Sequence, residues 1–221
     1  GISATATTVP VASVSGLSSS GKIKIGGEII AYTGIASLNL TGCTRGQNIT
    51  SATAHLSGAV VKEVVNILGG LNHLEGQTVS ILADGATHPD KVVSSNSITL
   101  DRFATDVKIG LGYTSILKTM RIDAGSQDGT SQAKTKRIFE VTARLFETVG
   151  VEVGPDLNNM ERIPFRTSAD PMDQGIPPFT GDKEVEFRGN YDTDGFMMVR
   201  QTQPLPLTLL SLYPRLVTND G

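Results

Sequence analysis

This chain has no tryptophan, a single cysteine and three histidines among 221 residues. With Cys43 alone, no intrachain disulfide and no cysteine-based zinc site can form. Cys43 lies between Gly42 and Thr44, in a turn or at a strand end, and reads as a small buried residue rather than a nucleophile. His55, His73 and His88 are far apart, and none has a metal-ligand spacing such as a helical i, i+4 pair. No metal and no cofactor is therefore expected. The missing tryptophan counts against a sugar-binding cleft, which aromatic platforms usually line. No apolar run approaches the length of a bilayer span, so no membrane span is expected. The opening Gly1-Ile2-Ser3-Ala4-Thr5 has neither the basic region nor the apolar core of a signal peptide. It also lacks an initiator Met, as a processed or excised portion of a longer chain would.

Charge is low and unevenly placed. The net charge is −3, which does not suit a binder of polyanions. Residues 1–69 hold four basic side chains (Lys22, Lys24, Arg45, Lys62) and two acidic ones (Glu28, Glu63), so the remainder is net −5. An acidic surface of that kind repels duplex DNA, and it equally serves plain solubility.

What is present is glycine and alternation. The 24 glycines and a hydrophobic fraction of 38% suit short strands joined by turns, in one large or two small domains, and not a helical bundle. The longest signal runs from Ile138 to Val153. Its odd positions are apolar (Phe139, Val141, Ala143, Leu145, Val149, Val151, Val153), and only Glu147 breaks that face. Alternation with period two marks a strand with one buried face. Ile138, Val141, Leu145 and Val149 also fall near helical spacing. The stiff valines and threonines and the interior Gly150 favour the strand.

The rest of the chain is punctuated in the same way. Ile23 and Ile25 alternate with lysines, Gly26-Gly27 turns, and Ile29 and Ala31 return as a hairpin. Strands are expected around Leu38–Leu40, Val60–Val65, Thr78–Ala83, Lys91–Val93, Ile98–Leu100 and Val107–Ile109. Later ones are expected over Glu184–Arg188, Phe196–Gln201 and Leu205–Tyr213. Residues 66–73 read as a junction, which divides the chain into a small β-module (1–66) and a larger β-sandwich-like domain (67–221). Asp123–Lys136 reads as an exposed loop. Residues 154–182 contain Pro155, Pro164, Pro171, Pro177 and Pro178, a stretch unfit for a central strand or a regular helix. It is expected to be a long irregular excursion.

Chemistry is sparse. A nucleophile–His–acid triad can be drawn on paper around any of the histidines, but nothing singles one out. Asp192 and Asp194 before Gly195 resemble part of a calcium loop without its bidentate glutamate, and read as caps of a tight turn over Asn190–Gly195. Lys134, Lys136 and Arg137 read as the solvated start of a strand, able to touch a phosphate or an acidic neighbour. Paired carboxylates for sugar hydrolysis are conceivable on a β-scaffold, yet no pair stands out.

Two resemblances carry the functional reading. Gly21–Gly34, Leu40–Gly46, Ala54-His55, Gly58 and Val60 follow the pattern Ile-Gly-x-Glu-x-Ile-x-Tyr-Thr-Gly, Leu-Thr-Gly-Cys-x-Arg-Gly, Ala-His-x-x-Gly. This resembles a small β-module that recurs in phage tail and baseplate proteins. Its glycines supply turns, and Glu28 and Arg45 are spaced so that they can pair. The second resemblance spans residues 71–219, roughly two-thirds of the chain. Its blocks are Leu71–Val79, Leu82–Gly85, His88-Pro89, Ile109–Ser115, Thr135–Ile138, Phe165–Asp173, Phe179–Lys183, and Val199–Gln201 with Pro204–Leu207. These resemble the C-terminal region of large tail structural proteins of tailed phages and prophages, likened to the tail nozzle of short-tailed phages. Such proteins are longer and carry a large β-rich, propeller-like part upstream.

The resemblance implies a non-enzymatic virion protein of the phage tail. It would be a homo-oligomer, a hexameric ring at the distal tail, that gates or conducts the genome. DNA would pass without sequence-specific binding, and other tail proteins would be partners. The proline-rich excursion is the candidate intersubunit arm, with Pro155, Pro164, Phe165, Pro171, Met172, Pro177, Pro178 and Phe179 as candidate contacts. Glu147, the one charge on the apolar face, joins them. A β-rich adhesin or carbohydrate-binding module at a tail tip or cell surface is the alternative, although Tyr32, Tyr113 and Tyr191 are scattered. A hydrolase of cell-envelope sugar is the third class.

Overall fold

The computed structural model describes residues 1–123, 134–170, 172 and 174–219, and the fold is all-β. The strands in chain order begin with β1 (Thr8–Pro10), β2 (Gly21–Ile25), β3 (Glu28–Tyr32), β4 (Gly34–Ala36), β5 (Asn39–Thr41) and β6 (Thr44–Gln47). They continue with β7 (Val61–Gly69), β8 (Thr78–Ala83), β9 (Ala86–Val92), β10 (Ser97–Ala104), β11 (Val107–Gly110) and β12 (Ser115–Lys118). The last are β13 (Thr135–Thr148), β14 (Glu152–Asp156), β15 (Asn159–Arg162), β16 (Phe179–Glu186), β17 (Met198–Gln201) and β18 (Leu209–Asn219). Among the described residues the helical content is one 3₁₀ turn, Asn72–Leu74.

Two compact units share the chain. One comprises Gly1–Thr78 with Lys91–Val107, the other Val79–Asp90 with Lys108–Gly221. The division expected after residue 66 falls inside β7, which continues to Gly69 and pairs with β10. The first unit holds the sheets β1-β5-β4 and β10-β7-β2-β3-β6. Its hairpin β2–β3 has the expected register, with Ile25 opposite Glu28 across Gly26-Gly27. Val9, Ile23, Ile25, Ile30, Tyr32, Leu40 and Cys43 form its core. Cys43 is buried as expected and donates its thiol to Leu40 O; burial pushes that thiol up.

Glu28 holds this small unit together. It is 1% exposed, and a buried carboxylate is tolerable only when fully paired. Arg45 donates to it bidentately from Nε (2.8 Å) and Nη2 (2.7 Å), the pair that the sequence spacing suggested. The Gly46 and Thr53 amides add bonds of 3.1 Å each, and His55 Nε2 lies 2.7 Å away. An ionised carboxylate only accepts, so His55 carries its proton on Nε2. Arg45 donates onward to Ser3 O and Thr53 O, and the His55 backbone bridges Ile2. One side chain on β3 thus fixes β6, the N-terminus and the strandless 48–60 segment. Burial alone would raise the Glu28 carboxyl, but Arg45, Thr53, His55 and Gly46 outweigh it and hold the group at about 2.

The second unit holds β11-β8-β9, β12-β17-β14-β15 and β16-β13-β18. The latter two sheets contribute to a single core, in which Val141 and Leu145 of β13 cluster with Val153 of β14 and Val199 of β17. β13 is the middle strand of its sheet. The run Ile138–Val153 is not one strand, however: it breaks after Thr148 and resumes as β14 in the other sheet. Nor does it keep one phase. Register shifts occur between Ile138 and Glu140, between Arg144 and Leu145, and between Leu145 and Thr148. The first and third place an extra residue in β13 and reset which of its parities faces inward, while the second places its extra residue, Leu210, in β18. The buried set is therefore Ile138, then Val141, Ala143 and Leu145, then Thr148 and Val149. Phe139, expected inside, is the extra residue of the first bulge and points out. Glu147, at φ 44, is turned out by another bulge.

The proline-rich excursion is partly strand. Residues 152–156 and 159–162 form the β14–β15 hairpin, and β16 starts at Phe179. Pro155 lies within β14, which is flanked by β17 and β15; it is accommodated at a register shift between Val153 and Asp156, where no ladder donor is needed. Residues 190–195 do not close a hairpin, because β16 and β17 belong to different sheets. Asp192 instead bridges to Lys136 through its backbone, and Asp194 pairs with Arg121 at 2.9 Å. Lys136, expected in solvent, is buried and donates to Ile122 O. The last strand starts at Leu209 rather than Leu205, since Pro204 and Pro206 delay it. The expected 123–136 loop lies mostly outside the described residues.

Two predictions follow from these contacts. Gly150 has φ +77, and a Cβ there would sit 2.6 Å from Leu205 Cδ1. Gly150→Ala should destabilise by roughly 2 kcal/mol in chemical denaturation, while Gly27→Ala, with open space, should change stability by under about 1 kcal/mol. Glu28 titrates at about 2 when folded against an ordinary 4.5, so it stabilises above pH 4.5 and that contribution is lost as pH falls towards 2. Glu28→Gln should cost roughly 3 kcal/mol at neutral pH. Denaturation curves of the two proteins should converge as the medium is acidified.

Candidate interaction surface

Glu28 is saturated with donors and ionised at neutral pH, which leaves it no proton to move. Asp182 is also held low, by the Arg144 guanidinium, as part of an exposed ion pair. No group of three potential metal ligands occurs among the described residues. A cleft of about 790 Å³ opens in the second unit, but its walls are mainly apolar: Leu82, Ile109, Leu111, Leu205, Leu207 and Pro178.

The outer face of β16-β13-β18 is the more informative feature. An antiparallel sheet with one buried face normally turns polar residues outward. This sheet turns out Phe139 (40% exposed), Phe146 (47%), Leu210 (59%), Tyr213 (46%) and Val217 (45%). Pairing across β13 and β18 sets Arg137 opposite Val217, Thr142 opposite Tyr213 and Arg144 opposite Ser211, all on that face. The bulges enrich it, because Phe139 is the extra residue of β13 and Leu210 the extra residue of β18. On the β16 side stand Asp182, Glu184 and Glu186, opposite Arg144, Thr142 and Glu140. Arg144 links the two halves: it grips Asp182 with two 2.8 Å bonds and lies 5.3 Å from the Tyr213 ring centre.

Aromatic residues and arginine beside aliphatics are the composition of a protein–protein contact. Three strands about 4.8 Å apart and about 36 Å long present roughly 500 Å². That is the same order as the roughly 800 Å² each partner gives a standard interface. Pro214 has no backbone N–H to offer on the edge strand β18, a feature that blunts an edge against strand addition.

The residues singled out from sequence are dispersed. Phe165 belongs to the chain's own core; Phe179 packs on it edge-on at 6.3 Å between centroids, with the Lys183 ammonium over both rings. Their size and apolar character favour burial in their own domain over an arm. Pro164, Met172, Pro177 and Pro178 are exposed, and Pro155 is half-buried. Pro171 lies outside the described residues. Glu147 is exposed on the bulge beside Phe146, at the end of the outer face, and its N–H donates to Thr180 Oγ1. Tyr32 is buried and donates to Ser18 O, whereas Tyr113 and Tyr191 are exposed. Comparison with protein-family models and with curated proteins finds no match to this chain.

The outer face should be dispensable for folding. Phe139→Ser, Phe146→Ser or Tyr213→Ser should each cost under about 1 kcal/mol in dilute denaturation experiments. Leu145→Ala, on the inner face of the same strand, should cost about 2–5 kcal/mol.

Proposed function

We propose that this chain is a structural subunit of a phage tail, acting non-enzymatically in a ring or tube of the nozzle type that gates or conducts the genome. The observation that carries the reading is the exposed aromatic face of β16-β13-β18, a folded sheet surface whose composition is that of a contact. The ordered blocks from Leu71 to Leu207 that resemble the C-terminal region of tail structural proteins support the same role. Strand-rich units with bulged faces suit such an assembly, because repeated copies can present the same surface many times. On this reading the chain resides in the virion, and DNA passes it without sequence readout.

The alternative, an adhesin or carbohydrate-binding module, draws on the same aromatics. Phe139 and Phe146 lack polar handles, and Leu210 and Val217 lie among them, which favours a protein partner over a sugar. Size-exclusion chromatography with light scattering, followed by negative-stain electron microscopy, separates the two. Rings or tubes are expected as concentration rises. A stable monomer that binds polysaccharide would overturn the proposal.

A further inference from the structure

Two exposed sheet faces of this chain carry unrelieved charge of opposite sign. On β16, Glu186 stands directly opposite Glu140, and Glu184 lies on the same face opposite Thr142. Arg215 Nη1 approaches Glu140 at 2.9 Å, and Arg144 takes Asp182. Glu184 and Glu186 are exposed and have no cationic partner among the described residues. In the other unit, Lys24 of β2 stands directly opposite Lys62 of β7, both exposed and without a carboxylate partner among the described residues. The neighbouring Lys22 is already engaged by Asn48 Oδ1 and the Phe103 ring. Half-buried Ile29 and Ala31 of β3, opposite Lys24 and Lys22, give that face apolar ground as well.

Like charges directly opposite one another in a sheet destabilise it, and an oppositely charged partner removes the penalty. We infer that the partner of the aromatic outer face is a second copy of this chain, docked head to tail, with Lys24 and Lys62 of one copy against Glu184 and Glu186 of the next. This deepens the proposed assembly and rests on it. The lysine stems and Ile29 cover the aromatic band while the ammonium groups meet the carboxylates. The two surfaces differ, so every copy offers one of each, and a head-to-tail contact of this kind closes into a ring or continues as a filament.

Charge reversal tests this on the intact chain. One variant carries Lys24→Glu and Lys62→Glu, the other Glu184→Lys and Glu186→Lys. In sedimentation velocity each variant alone should associate about a hundredfold more weakly than wild type. Mixed together, the two should co-assemble, because every contact becomes complementary again. Circular dichroism should show both variants folded, and wild-type assembly should weaken as salt is raised. If wild type assembles but both variants assemble equally well and without salt dependence, the inference falls and the assembly proposal stands. If wild type remains monomeric at all concentrations, the assembly proposal falls and takes the inference with it.

Discussion

The phase of β13 is the constraint on which the larger unit depends. A fourteen-residue strand at the middle of a three-stranded sheet must keep one face in the core throughout its length. Its sequence does not permit this with a single period, since the apolar residues of its first part are out of step with those that follow. Bulges resolve the conflict: Ile138 stays in, Phe139 goes out, Val141 to Leu145 return inward, and Glu147 is turned to solvent before Thr148 is buried. The same bulges set the composition of the outer face. The core and the composition of the outer face are two consequences of one set of register shifts.

The small unit answers to a different constraint. The large apolar side chains of its strandless segment, Ile49, Leu56 and Val60, are exposed, and a buried carboxylate ties that segment down through Thr53 and His55. Glu28 collects Arg45, Gly46, Thr53 and His55 around one side chain, so residues far apart in sequence are fixed by charge-assisted hydrogen bonds. Gly46 belongs to the same arrangement: a Cβ there would meet Thr50 O at 2.9 Å, so the segment folds tightly over it.

Much of this was legible in the residues. The Gly21–Tyr32 hairpin, the Glu28–Arg45 pair, the buried Cys43 and the all-β class follow from alternation, glycine turns and the scarcity of partners for a lone thiol. The candidate surface was not. Phe139 and Phe146 have opposite parity, so no uniform period places both on one face, and a bulge leaves no residue signature that separates it from regular strand. Phe165 and Phe179, expected in an intersubunit arm, instead lie in and against the chain's own core, which an apolar side chain in a proline-rich stretch does not reveal before tertiary packing is known. Pro155 marked irregularity, and the irregularity is a bulge within an inner strand rather than a departure from the sheet.

On the proposed assembly the outer face of β16-β13-β18 is covered by another copy of the chain. Hydroxyl-radical footprinting with mass spectrometry, at low and high protein concentration, reads this directly. Phe139, Phe146 and Tyr213 should lose reactivity at high concentration, with exposed Tyr191 as the internal reference. Unchanged labelling of those three side chains in a sample shown to be assembled would contradict the account.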